Sequence, residues 1–317
     1  MGCPALRGKG SRAERREVAR RALSATRAVD VVNFLASRPG EAFLLSELAA
    51  ETGINLSSAH ALMSALVESD WLMRDPIRKT YQLGPALVAV GQAAVERLPA
   101  VRRATALARE LAAESGMETI VNTVAGEDLL TLEAAGRPEQ LETRPRVGQR
   151  LPCMAPLGLG ALAWDPPEVL DAWVRRSHPR ATAKTLRSYR DWAAQVRSAG
   201  YEVGLESPIR DKIGQVLFEL SRSPADEDLR EAMGGLVARL AEEECWVNQQ
   251  VDPVSDYQVN YLGAPVFGSD ARPSLAVTVL GFANPTSGAR LLELADRVVS
   301  ATRRVSVATG GRLPLSL

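Results

Sequence analysis

Residues 46–69 read SELAAETGINLSSAHALMSALVES. Within them Ala59, Leu62, Met63, Leu66 and Val67 recur at i, i+3, i+4, i+7 and i+8, a single apolar stripe that predicts an amphipathic helix. The opposite face of that helix centres on Ala61, with Ser57, Ser64 and Ala65 beside it and Ser58 and His60 on its flanks. Ser57 is the expected N-cap, and Ser46 the expected N-cap of the preceding helix, Glu47 to Thr52. Gly53 stands where a helix C-terminus needs a left-handed residue, so Gly53-Ile54-Asn55 reads as a tight turn between two helices.

Upstream, Ala28, Val31, Val32 and Leu35 predict a first helix from Arg27 to Ser37, stopped by Pro39-Gly40. Downstream, Trp71 to Arg74 and Thr80 to Leu83 are short strand candidates around the charged turn Arg74-Asp75-Pro76-Ile77-Arg78-Lys79. Helix, helix, turn, helix and hairpin from Ala28 to Gly84 make a winged helix-turn-helix, which sets its third helix in a DNA major groove. Periodicity alone leaves open a small helical domain that never meets DNA. The short turn, the serine-rich outer face and the basic hairpin tip shift the weight, because small polar side chains let a helix approach base edges closely. The expected partner is duplex DNA. The candidate contacts are Ser57, Ser58, His60, Ala61 and Ser64 in the groove, with Arg74, Arg78 and Lys79 at phosphates or the minor groove.

A chain of 317 residues accommodates two domains, and its 46% hydrophobic content suits ordinary globular cores. Lys+Arg of 38 against Asp+Glu of 38 leaves no net charge, which argues against a surface of general nucleic-acid affinity. The charge is uneven. From Arg7 to Arg27 the basic residues Arg7, Lys9, Arg12, Arg15, Arg16, Arg20, Arg21 and Arg27 face only Glu14 and Glu17. Residues 1–25 therefore read as a basic arm, either following DNA phosphates or left as a solvated tail.

Cys3, Cys153 and Cys245 are an odd, sparse set without metal-ligand spacing, which predicts free thiols in a reducing cytoplasm and no metal site. No cofactor fingerprint is present either. The N-terminal basic residues have no apolar core behind them, so a signal peptide is not expected. The longest uncharged run, Leu151 to Trp164, is too short to span a bilayer.

Beyond the hairpin, residues 85–115 read as linker helices broken at Pro99. Leu87, Val90, Gly91, Ala94 and Leu98 form a stripe suited to a symmetry mate. From residue 116 to the end, a hairpin is expected across Gly126-Glu127-Asp128, followed by helices at Leu159–Trp164, Pro167–Arg175 and Ala183–Ala199. Strands at Tyr201–Leu205, Val259–Val266 and Ser274–Gly281 precede a terminal helix from Ser287 to about Val307. An antiparallel or mixed sheet flanked by helices is α+β.

Ser46-Glu47-Leu48-Ala49 through Gly53, Ser57-Ser58-Ala59-His60, Arg74-Asp75 and Tyr81-Gln82-Leu83-Gly84 resemble the N-terminal domain of the IclR-type bacterial regulators. The resemblance continues through Arg146-Val147-Gly148-Gln149-Arg150-Leu151-Pro152, Ala199-Gly200-Tyr201-Glu202-Val203 and Ala264-Pro265-Val266-Phe267. It runs from about Thr26 to Gly310, and its specificity lies in the order and spacing of motifs that are individually weak. It implies a dimeric or dimer-of-dimers repressor or activator with a C-terminal GAF-like domain that binds a small effector. It also implies basic residues where Leu56 and Ala61 stand here, so the third helix departs from the pattern.

In such regulators the loop after the Gly-x-x-Leu-Pro landmark binds an effector carboxylate through backbone N–H groups. By this resemblance the candidate ligand residues are Met154, Ala155, Leu157, Gly158, Glu206, Tyr261, Thr278 and Leu280. Pro156 has no N–H, and Tyr261 and Leu280 are bulky or apolar where the family is small and polar. The expected effector is accordingly aromatic or otherwise mainly apolar, and a pocket collapsed into plain core packing is the alternative.

A second departure is an insertion at about 207–256, with a helix from Asp226 to about Gln249 whose stripe is Leu229, Met233, Leu236, Val237 and Leu240. Docking over the effector domain is the expectation; an oligomer contact or a loosely ordered surface segment are the alternatives. Gly234-Gly235 reads as a weak spot in that helix. An enzyme is not expected. The two histidines, His60 and His178, are far apart in sequence, and no G-x-S-x-G, P-loop or G-x-G-x-x-G appears. An effector-binding oligomerisation module with degenerate DNA binding is the remaining alternative.

Overall fold

The computed structural model describes residues 23–36, 38, 40–136, 146–222, 227–240 and 251–315. The chain divides into two compact units with the boundary between Ala93 and Ala94.

In the first unit, α1 (Leu23–Ala36), β1 (Phe43–Leu44), α2 (Leu45–Glu51), α3 (Leu56–Glu68), β2 (Leu72–Arg74) and β3 (Thr80–Leu83) precede α4 (Ala86–Arg97). The three strands pair antiparallel in the order β1-β3-β2, with Phe43 opposite Tyr81 and Leu72 opposite Leu83. Val31, Leu35, Leu48, Ala49, Ile54, Ala59, Met63, Leu72 and Tyr81 form the core, so the stripe read from the sequence is the buried face. Ala28 and Val32 are only half-buried. Both helix starts differ from expectation. Asn55, not Ser57, caps α3, its Oδ1 accepting from the Ser58 N–H at 2.9 Å. At α2 the Leu44 N–H donates to the Glu47 carboxylate at 2.7 Å, and Ser46 lies inside the helix. No residue of α4 is buried.

The second unit begins with α5 (Pro99–Ser115), which ends at Gly116 in the left-handed region at φ 72°. Then come β4 (Glu118–Ala125), β5 (Asp128–Ala135), β6 (Arg150–Pro152), α6 (Leu159–Leu162), α7 (Pro167–Ser177), α8 (Ala183–Ala199) and β7 (Glu202–Leu205). The insertion holds two helices where one was expected, α9 (Pro208–Arg222) and α10 (Glu227–Leu240). The chain closes with β8 (Asp256–Tyr257), β9 (Val259–Phe267), β10 (Pro273–Leu280), β11 (Thr286–Ser287) and α11 (Gly288–Ala308).

Six strands form one antiparallel sheet in the order β6-β5-β4-β10-β9-β7, flanked by helices, so the fold is α+β. One face is apolar: Val121, Val203, Leu262, Ala264, Val277 and Val279 pack with Ala104, Leu107, Ala108 and Leu111 of α5 and Leu291, Ala295 and Val298 of α11. A second core joins Leu129, the Cys153–Ala155 loop, Leu159, Trp173 and Val174 of α7, Leu186, Tyr189 and Ala193 of α8, and Ile209 and Ile213 of α9. Trp173, Tyr189 and Trp192 stack edge-to-face at 5.5 and 4.8 Å between centroids.

The insertion helix α10 docks on this second core. Met233 and Leu240 are fully buried, and Leu229 and Leu236 pack against the cluster. Gly234 is a contact point, because a Cβ there would stand 2.8 Å from the Ser177 carbonyl oxygen at the end of α7. No helix among the described residues is long and apolar enough to cross a membrane.

Candidate nucleic-acid interface and effector site

On α3 the outward residues are those the helical wheel selects. Ser57, His60 and Ala61 are exposed and Ser58 and Ser64 half-buried, while Leu56 is 58% exposed beside them. Gly53 at φ 63° and the Asn55 cap fix the turn that aims this helix. The hairpin tip is built by Asp75, whose Oδ1 accepts from the N–H groups of Ile77 at 2.7 Å and Arg78 at 2.9 Å. Those two bonds hold its carboxyl pKa below the usual range. Lys79 adopts a left-handed conformation at φ 59°, and Arg78 and Lys79 are exposed at the tip. Arg74 is exposed as well, but its guanidinium lies 5.7 Å from the Tyr81 ring centroid, anchored to the sheet rather than free. The basic arm lies outside the described residues.

In the second unit the candidate ligand residues separate into those that meet and one that does not. Tyr261 and Leu280 are cross-strand partners, and Thr278 pairs with Gly263, so the three side chains share one sheet face. Met154 and Ala155 are buried, Leu157 is partly buried, and Tyr261 packs against the same cluster. Gly158, left-handed at φ 104°, precedes α6, which is a single helical turn. Glu206 is exposed beyond the end of β7 and does not join them. A bulge between Gly204 and Leu205 breaks the alternation that would have carried it to the same face.

The acid inside is Glu202. It lies opposite Gly263, and a Cβ on Gly263 would stand 3.2 Å from the Thr278 Oγ1 and 3.3 Å from the Glu202 Oε1. A Cβ on Gly160 of α6 would stand 2.8 Å from the same oxygen. Glu202 Oε2 is buried with no hydrogen-bond partner among the described residues. Burial pushes the Glu202 pKa up to about 7, offset in part by the Arg210 guanidinium and the Gly160 N–H. Arg210, buried on α9, lies with its guanidinium 5.4 Å from the Tyr261 centroid, so the insertion contributes to this region. Sequence reasoning missed Glu202. The signal was a glycine at mid-strand position 263, which marks a close approach by a neighbour.

Cys153 is buried and its thiol is pushed up to about 11, chiefly by desolvation, so it is unreactive at neutral pH. Among the described residues no group of histidine, cysteine and carboxylate side chains is placed to hold a metal ion.

Residues 24–76 match the family model of the IclR helix-turn-helix domain. The helix-turn-helix segment is of the IclR type. None of the curated proteins compared with it matches. Solved structures share its fold over nearly the whole length. An IclR-type regulator from Alicyclobacillus acidocaldarius is 19% identical, with TM-score 0.66, covering 92% of this chain and 100% of the other. HmgR of Pseudomonas aeruginosa is 20% identical, with TM-score 0.59 and coverage of 91% and 99%. An IclR homolog from Microbacterium hydrocarbonoxydans, solved in complex with 4-hydroxybenzoate, is 17% identical, with TM-score 0.58 and coverage of 90% and 99%. The matched helix-turn-helix spans α1 to the start of the hairpin turn, the segment that carries all of the exposed α3 residues.

Proposed function

We propose that this IclR-type regulator binds an operator as a dimer through α3 and the β2–β3 hairpin, and that a small molecule bound in its second unit modulates that binding. The observation that carries the reading is the exposed, cap-fixed face of α3 beside a basic hairpin tip, in a segment that matches a DNA-binding family. α4 supports the dimer: it has no buried residue and leaves Val90 and Gly91 exposed. Ser57, Ser58, His60, Ala61 and Ser64 face base edges, while Arg78 and Lys79 take phosphates and Arg74 supports the tip.

The effector is mainly apolar and sits between residues 154–158 and the sheet, with Tyr261 and Thr278 as polar contacts. The aromatic ligand of the Microbacterium homolog supports that class. The cluster around Met154, Leu157 and Tyr261 supplies the apolar wall. Catalysis is not part of this reading. The exposed Leu56 on α3 favours a second reading, an effector-binding oligomer with weakened DNA contact. A mobility-shift assay on DNA beside the protein's own gene separates the two. Sequence-preferring retardation supports the regulator, and ligand binding without retardation supports the second reading.

A further inference from the structure

In the family pattern an effector carboxylate is held by backbone N–H groups of the loop and turn after residue 152. In this chain the protein's own Glu202 carboxyl already lies against that turn, where a Cβ on Gly160 would stand 2.8 Å from its Oε1. An anionic effector would have to displace the Glu202 carboxyl from this turn or sit against it. The Arg210 guanidinium favours the charged form of Glu202, so part of its charge is already met inside the protein. The Glu202 Oε2 is buried with no partner among the described residues, where an unmet hydrogen bond is costly. The Thr278 hydroxyl borders the same carboxyl across Gly263, where an added Cβ would stand 3.2 Å from the Thr278 Oγ1 and 3.3 Å from the Glu202 Oε1. Glu202, Gly160 and Gly263 are mutually fitted: a side chain on either glycine would meet the carboxyl.

We propose that Glu202, assisted by Thr278, recognises a hydrogen-bond donor on the effector, so that this protein takes a neutral or cationic molecule bearing a hydroxyl or amino group on an apolar body and rejects carboxylates. The inference rests on the effector-binding reading above and names the chemical class for that site. A charge-assisted hydrogen bond to a buried carboxylate sets the discrimination at about tenfold or more in affinity.

Benzyl alcohol, benzylamine and benzoate share one ring and differ in the head group. Their binding to the full chain, measured by calorimetry and thermal shift, tests the assignment. Benzylamine or benzyl alcohol binds the wild type, with benzoate at least about tenfold weaker. Glu202→Gln weakens benzylamine by a similar factor, and Thr278→Val weakens benzyl alcohol with the fold intact by circular dichroism. Glu202→Ala removes the carboxyl from beside Gly160 and gains benzoate. Equal or tighter benzoate binding by the wild type overturns the proposal, as does an unchanged ranking in Glu202→Gln and Thr278→Val. If the wild type binds none of the three while Glu202→Ala binds benzoate, Glu202 is a built-in substitute for an effector and the proposal fails. Operator retardation by the unliganded protein is scored separately, so loss of the regulator reading is distinguishable from loss of this one.

Discussion

The two faces of the six-stranded sheet carry opposite chemistry where β10, β9 and β7 run side by side. Toward α5 and α11 the strands present Val121, Val203, Leu262, Ala264, Val277 and Val279, all buried. Toward α6, β10, β9 and β7 present Thr278, Gly263, Tyr261 and Glu202, two polar side chains, a glycine they crowd and an aromatic ring. A strand alternates by geometry alone, so one face can be optimised for packing while its neighbours one residue away are free for recognition. The polar face is the less stable solution. A buried carboxyl oxygen that no described residue meets costs folding free energy.

That contrast can be broken from either side. Replacing Leu262 by Ala on the apolar face removes a fully buried side chain and should cost about 2–5 kcal/mol of unfolding free energy, read by urea denaturation. Met233→Ala in the insertion should cost a similar amount, about 2–5 kcal/mol, because α10 is docked core and not appendage.

On the polar face the sign reverses. The Glu202 carboxyl rises from 4.5 to about 7 on folding, so between those values the folded state holds a proton that the unfolded state has released. Stability from this group therefore falls as pH rises from about 4.5 and reaches its full deficit above about 7. Glu202→Gln should remove that deficit, stabilising the protein by about 3 kcal/mol at pH 8 and changing little at pH 4. Denaturation midpoints across that range check it, and a variant less stable at pH 8 would contradict it.

A smaller effect comes from the first unit. Asn55→Ala removes the α3 cap and should cost about 1 kcal/mol, whereas Ser57→Ala should cost almost nothing. Equal losses would mean that the serine shares the cap.

Much of the fold was legible because periodicity is a direct consequence of burial. The α3 stripe, the hairpin across Gly126, the break at Pro99 and the terminal helix stand where they were expected. What escaped has physical reasons. β1 is two residues long, too short to show alternation. α9 opens at Pro208 among charged residues and reads locally as loop, and its identity as a helix depends on the core it meets. Asn55 was passed over because two serines follow it closely, and local sequence does not rank three cap-competent side chains. In the candidate site, Tyr261, Thr278 and Leu280 came together as expected. Glu202 did not announce itself, since an acid in a short strand ordinarily faces water. Only the pairing of Glu202 with Gly263, a tertiary fact, turns it inward.

The central claim, that the chain is a DNA-binding regulator contacting its operator through α3 and the hairpin tip, is tested most directly by salt dependence. Fluorescence anisotropy on duplex DNA from beside its own gene gives log K against log salt for the wild type and for Arg78→Ala/Lys79→Ala. The wild type should bind with sequence preference, and its slope should be steeper than that of the double variant by about 1.8, two phosphate contacts on B-DNA. Identical slopes and affinities for the two proteins, or equal binding to unrelated duplex, would contradict it.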